Sequence, residues 1–274
     1  MEIDLVRILF AFLCGYFLCV SGSLSQLVTN NNIASPSTLG MDGVAVLMVM
    51  IAQGLISIAG VSMELEILSF ALFVALYCGL IIKGKSSSLK HKKSKNIWQQ
   101  TNIKQIILLG LTFNLFVGAV FSVIQFMFMA LNFEFPSALW FGSFKQVDSN
   151  WVLPFVMMAM ICWWRLKFLA DGLQKLNLGV GHAQAMGVDI AKLQRSSLHL
   201  SLILTFLVIC FFGVFSFLGL IFPHILRSFK IFRTNMRSEL LFGPIFAGVM
   251  LAIIDWFCFN FTYQGAELPV GMVS

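Results

Sequence analysis

The stretch "SFLGLIFPHILRSFKIFRTNMR", residues 216–237, starts as an unbroken apolar run and ends with Arg227, Lys230, Arg233 and Arg237. That is the pattern of a segment leaving a membrane on the side where Lys and Arg collect. Inside the run sits a Pro-His pair, Pro223 and His224, a helix breaker beside a titratable ring. The same texture extends over the whole chain. Of 274 residues, 59% are hydrophobic, 29 are Phe and only 11% are charged, against roughly 25% charged in a soluble domain. Apolar runs long enough to cross about 30 Å of hydrocarbon fall at about 6–27, 42–61, 65–82, 105–131, 151–169, 198–214, 216–229 and 241–261. The reading is an all-α polytopic membrane protein of about eight transmembrane helices, forming one domain over 1–274. The alternating ten-residue segments of a membrane β-barrel do not occur.

Orientation follows from the loops. The linker "KGKSSSLKHKKSK", 83–95, holds six Lys and no acid, which makes the 83–104 connection cytoplasmic. Because crossings alternate, 170–196 and 230–240 fall on the same side, and both are also basic. Both chain ends then lie outside, so the chain reads as the middle of something larger, lacking a span at each end. A cleaved leader over residues 1–25 is rejected. "MEIDLVR" is not basic, and its removal would turn the six-Lys linker outward.

The net charge of +6 resides in these short loops, and no nucleic-acid motif accompanies it. Cys14, Cys19, Cys78, Cys162, Cys210 and Cys258 all lie in apolar runs without a CxxC, and read as small buried side chains. The Met-rich "VMMAM" at 156–160 reads as lipid-facing. No second His or carboxylate stands at ligand spacing from His224, so no metal is assigned. There is no P-loop "GxxxxGK[ST]" and no cofactor is expected on this chain. Asp255 in "AIIDWF" is the one acid well inside an apolar run. At mid-membrane it would cost about 2.5–3.5 kcal/mol, so it should face protein, nearer the outer interface, as a structural hydrogen-bonding group.

Four segments carry a resemblance. "SGSLSQLVTNNNIASPSTLGMDG" (21–43), "LNLGVGHAQAMGV" (176–188), "FLGLIFPHILR" (217–227) and "ELPVG" (267–271) resemble, in order and spacing, the "SGALxQxxxxNPLAxPxxLGxxSG", "LxLGEExAxxLGV", "FxGLxxPHxxR" and "ELPxG" stretches of the FecCD-type permeases. These are the membrane subunits of bacterial ABC importers for iron–siderophores, haem and vitamin B12. That family has ten helices with both ends in the cytoplasm, so the resemblance implies, as the loop parity does, that the first and last helices are missing.

The resemblance implies a permease in the bacterial inner membrane. Its partners would be a second permease subunit, identical or different, two cytoplasmic ATPases and a periplasmic binding protein. The cargo would be an iron chelate, a siderophore complex ahead of haem or vitamin B12. ATP would be hydrolysed on the partner, and the chain itself would not be an enzyme. Coupling to the ATPase would fall on Gly179, Gly181, His182, Ala183 and Gly187, as two small helices joined by a tight turn, with Ala183 and Ala185 letting it seat in a groove. The family's Glu is replaced here by Val180. Gly219, Pro223, His224 and Arg227 would form a kink: a packing feature first, a gating hinge second. In the first reading His224 bonds the carbonyl freed by Pro223. Arg7, retained from the family's "RLPR" while Asp4 replaces its partner, and Trp140 would dock the binding protein, with anchoring at the membrane surface an equal reading for Trp140. Gln26, Glu267, Pro269 and Gly271 complete the family motifs. Two alternatives stand beside this reading: a truncated remnant that no longer transports, and a secondary transporter, which would need paired intramembrane charges beyond Asp255.

Overall fold

The computed structural model describes residues 5–59, 64–65, 67–77, 103–130, 142–144, 148–215, 217–230, 232, 235–260 and 270–273. Among them every regular element is helical: α1 (Leu5–Thr29), α2 (Met41–Ala59), α3 (Ile67–Tyr77), α4 (Ile103–Ala130), a 3-10 turn (Ser149–Trp151), α5 (Val152–Asn177), α6 (Val180–Ala185), α7 (Ile190–Phe212), α8 (Leu218–Ser228), α9 (Met236–Leu241), α10 (Gly243–Asn260) and α11 (Val270–Val273). The helical membrane protein read from composition is what the chain forms. Among the described residues five helices are long and apolar enough to cross a membrane: α1, α4, α5 with its leading turn, α7 and α10. The expected linker 83–104 lies almost wholly outside the described residues.

The chain divides into two compact units, residues 1–37 with 136–274, and residues 38–135. In the second, α2 packs on α4. Gly40 (φ +81°) lies against Gly110, and the Gly43 N–H donates to Asn114 Oδ1 at 2.8 Å. The outward side of α4 is strongly apolar, with Leu108, Leu115, Phe116 and Phe126 all exposed. That is the face expected of a helix solvated by lipid.

The first unit is built around α1, which packs against α5, α7, α8 and α10. Its residues from 10 to 26 are buried almost without interruption. A helix apolar all round belongs in the middle of a bundle. Two features let neighbours approach it. Gly15 faces Ala247, Gly248 and Leu251 of α10, and Gly248 faces Phe12, with no room for a Cβ on either side. On another face, hydroxyls recur every fourth residue: Ser21, Ser25 and Thr29 on α1, Ser197, Ser201 and Thr205 on α7. Ser21 Oγ lies 2.7 Å from Ser201 Oγ and 2.6 Å from Thr205 Oγ1, and Ser25 Oγ lies 3.0 Å from Ser201 Oγ. Small residues and shared hydroxyls hold helices together in lipid, where apolar burial offers no preference for protein over solvent. Towards the N-terminal end of α1, Phe10, Phe155 and Phe212 form a ring cluster, with centroids 5.3–5.6 Å apart.

The run at 216–229 departs from expectation. Its helix, α8, has 11 residues, about 16 Å at the helical rise, half of the hydrocarbon thickness. Phe212, the end of α7, lies beside Phe10, whereas Gly219 lies beside Gly22. Along α1 those levels are about 18 Å apart. The short connection 213–217 covers that distance, with Gly213, Val214 and Phe215 non-helical. The segment is therefore part non-helical chain and part helix. Its exposed backbone is satisfied from within: Gly142 N–H donates to Val214 O (3.2 Å), Ser143 N–H to Phe212 O (2.9 Å), and Gly271 N–H to Gly142 O (3.0 Å). Non-helical backbone survives at such depth only when buried in protein, and Val214 and Phe215 are buried.

Candidate functional site

The first and third resembling segments meet at the C-terminal ends of α1 and α8. Helix α1 stops at Asn30, in the left-handed region (φ +49°), and the Asn31 N–H reaches back to Gln26 O at 3.1 Å. This is a Schellman-type stop, which asparagine tolerates. The chain then folds back so that Pro36 lies against Gly219. Pro223 is the sixth residue of α8 and has no N–H for the Gly219 carbonyl. That carbonyl is directed at Gly22: a Cβ there would overlap its oxygen. A Cα–H of Gly22 therefore occupies the place of the missing donor, a weak but recurring helix–helix contact. The expectation that His224 bonds the freed carbonyl is corrected. His224 Nε2 lies 3.1 Å from Asn32 O instead, one link between α8 and the loop after α1.

Arg227 gathers the rest. Its Nη1 donates to Gln26 Oε1 (2.8 Å) and to Asn32 Oδ1 (3.1 Å), and its Nε donates to Glu239 Oε1 (2.9 Å). Gln26 Nε2 turns to Leu220 O at 3.5 Å. The Glu239 side chain is 3% exposed and that of Arg227 is 21%. A carboxylate so buried is retained only when paired and hydrogen-bonded. Gln26, Gly219, Pro223, His224 and Arg227 are thus one assembly. Two of its members, Asn32 and Glu239, were missed in the sequence. A lone acid in a basic loop looks solvated, and the only signal was its isolation among Arg233, Arg237 and their neighbours.

The second segment forms the corner between α5 and α7. Gly179 (φ +115°) and Gly187 (φ +76°) bracket α6, conformations that side chains with a Cβ resist. Gly187 N–H and Val188 N–H close the short helix onto Gln184 O and Ala183 O, both at 3.0 Å. Asp189 caps α7, its Oδ1 accepting from the Lys192 N–H at 3.0 Å. A single six-residue helix replaces the expected pair, the second being the first turn of α7. Ala183 is fully buried, so it packs the corner from within, in contrast to the expectation that it faces a partner. What the corner exposes is mixed: Leu178, Val180, Ala185 and Met186 stand beside Asn177, His182, Gln184 and Asp189.

At the N-terminal end of α1, Arg7 is corrected. The guanidinium expected to dock a binding protein grips Asp255, with Nε 2.9 Å from Oδ2 and Nη2 2.9 Å from Oδ1, and lies 5.0 Å from the Phe259 ring centroid. The side chains are 12% and 0% exposed. Asp255 is the structural group expected, with a charged partner that the sequence did not suggest. Gly271 sits in α11, joined to Gly142. Trp140, Glu267 and Pro269 lie outside the described residues. No group of three or more His, Cys, Asp or Glu that could hold a metal occurs among the described residues, and the five described cysteines are buried.

Comparison with known proteins places this architecture. The hemin transport system permease HmuU of Yersinia pestis is 27% identical over 282 residues, covering 100% of this chain and 78% of the relative. The vitamin B12 import permease BtuC of Vibrio vulnificus is 26% identical over 285 residues, with the same two shares. The Fe(3+) dicitrate permease FecC of Escherichia coli is 26% identical over 283 residues, covering 99% and 78%. Among solved structures, a metal-chelate type ABC transporter in an inward-facing conformation superposes with a TM-score of 0.69 at 20% identity, over 98% of this chain and 80% of the other. The profile of the FecCD transport family matches residues 1–274, and on that full-length match the chain belongs to the FecCD transport family.

Proposed function

We propose that the chain is the membrane-spanning permease of an ABC importer in a bacterial inner membrane, and that its cargo is an iron–siderophore complex. In this reading a periplasmic protein delivers the chelate, a second permease subunit completes the path, and a cytoplasmic ATPase seats against the corner at 172–193. The chain is not itself an enzyme. The observation that carries the reading is the alignment of the whole chain with permeases of such importers. Within it, the motif segments 21–43 and 217–227 pack as one inner assembly, centred on Arg227. The relatives are named for hemin, vitamin B12 and ferric dicitrate at nearly equal identity, so the cargo is decided by uptake.

The test is radio-iron uptake from a panel of ferric siderophores, with hemin and labelled vitamin B12 as parallel cargoes. Cells lacking only this gene are compared with cells carrying it back. Loss of one ferric siderophore and its return supports the proposal. Loss confined to hemin or B12 keeps the importer and replaces the cargo. No change for any of them overturns the transport reading.

A further inference from the structure

The short helix α9 carries two ion pairs directed to opposite sides. Asn235 caps it, accepting from the Arg237 N–H at 3.1 Å, which fixes the first turn. Arg237 and Glu239 are two residues apart, so on a helix their side chains leave in nearly opposite directions. Arg237 pairs with Asp171 of α5. Glu239 pairs with Arg227 of α8, at 2.9 Å. Helix α9 also packs against α5 along its length and touches α8 and α10. Asp171 stands on the last turns of α5, which runs on through Gly179 into α6, the exposed corner. Arg227 stands at the centre of the inner assembly, holding Gln26 of α1 and Asn32 of the following loop.

We propose that α9 is a relay bar: through Asp171–Arg237 on one side and Glu239–Arg227 on the other, it makes α8 follow displacements of the α5–α6 corner. Asp171, Arg237 and Glu239 are positioning residues, acting through Arg227 rather than on cargo. The inference rests on the reading of the 172–193 corner as the ATPase contact. It deepens that reading by naming how motion there reaches the half-helix that follows the non-helical segment. The two pairs differ as a relay requires. The Glu239 end is buried and fixed. The Asp171 and Arg237 side chains are 57% and 54% exposed, and an exposed pair contributes little to folding, so its charges can be reversed without unfolding the chain.

The experiment uses the assembled transporter in lipid nanodiscs with its ATPase subunits, comparing wild type, D171R, R237D and the double reversal D171R/R237D. Hydrogen exchange of α6 and α8 is recorded nucleotide-free and trapped with ATP and vanadate. Expected is a nucleotide-dependent change in both helices for wild type and the double reversal. In each single reversal the α6 response remains and the α8 response falls at least threefold. Single reversals with a full α8 response, or a double reversal no better than the worse single, overturn the relay alone. A wild type whose α6 shows no nucleotide response overturns the ATPase-contact reading, and the relay with it.

Discussion

Gly22→Ala and Gly54→Ala are the same chemical change in two apolar helices, and the structure assigns them opposite signs. Both positions are helical, where alanine is favoured over glycine by about 1 kcal/mol. At Gly54 no described residue lies within 4 Å of the added methyl, so that gain stands alone. At Gly22 the methyl falls on the Gly219 carbonyl oxygen. That oxygen is backbone, held by α8 and backed by Pro36, and it cannot rotate away. Overpacking a well-filled site costs about 1–3 kcal/mol, and a rigid neighbour puts this case at the upper end. The net for Gly22→Ala is a loss of about 2 kcal/mol. A kcal/mol shifts Tm by about 2–4 °C in a chain of this size, so Gly22→Ala lowers Tm by about 4–8 °C while Gly54→Ala raises it by about 2–4 °C. The assay is thermal unfolding in detergent micelles with a thiol-reactive fluorophore, since the described cysteines are buried until the fold opens. Equal shifts of the same sign would refute the close approach of α1 and α8, and with it the account of how the carbonyl freed by Pro223 is satisfied.

The ion pairs and the corner give outcomes of their own. Arg227→Ala strands a carboxylate that is 3% exposed and should cost about 3–5 kcal/mol; adding Glu239→Gln should return a large part of it in the same unfolding assay. Asp255→Asn should destabilise the chain by about 3 kcal/mol, because it leaves a largely buried guanidinium without its counter-charge. Arg7→Lys should recover only part of the wild-type Tm, since an ammonium cannot reproduce the two-point grip. Ala183→Leu should destabilise the corner by about 1–3 kcal/mol, the cost of overpacking. Ala185→Leu, at an exposed position, should leave Tm unchanged and weaken only co-purification of the ATPase subunit.

The sequence carried the class of the fold and the identity of the inner assembly, for different reasons. Long apolar runs are a direct consequence of bilayer thickness, so α1, α4, α5, α7 and α10 could be read from hydropathy. Gln26, Gly219, Pro223, His224 and Arg227 were legible through resemblance, although nothing in the residues alone joined the first to the others. The half-length of α8 was hidden, because a non-helical segment and a helical one demand the same apolar side chains when both are buried. Only Gly213, with φ +84°, marks the point where α7 is forced to stop. The Arg7–Asp255 pair was equally hidden. Its members stand 248 positions apart, and each alone admits a local explanation, an outer-face arginine and an interfacial acid. Ala183 was misjudged because small size suits both a buried corner and a docking tip.

The hydroxyls between α1 and α7 have a consequence of their own. On both helices they recur at the same interval of four, and Ser21 already touches two partners, Ser201 and Thr205, at nearly equal distance. A ladder whose rungs are evenly spaced is degenerate: moved by one helical turn, it finds rungs again. These bonds therefore decide that the two helices adhere, but carry almost no information about where along each other they stop. That information has to be stored aperiodically: directly in the Phe10–Phe212 ring contact, and indirectly where the Gly15–Gly248 and Gly22–Gly219 contacts fix α1 against α10 and α8. Replacing one hydroxyl removes glue from a joint that keeps its alignment. Filling one glycine erases an address.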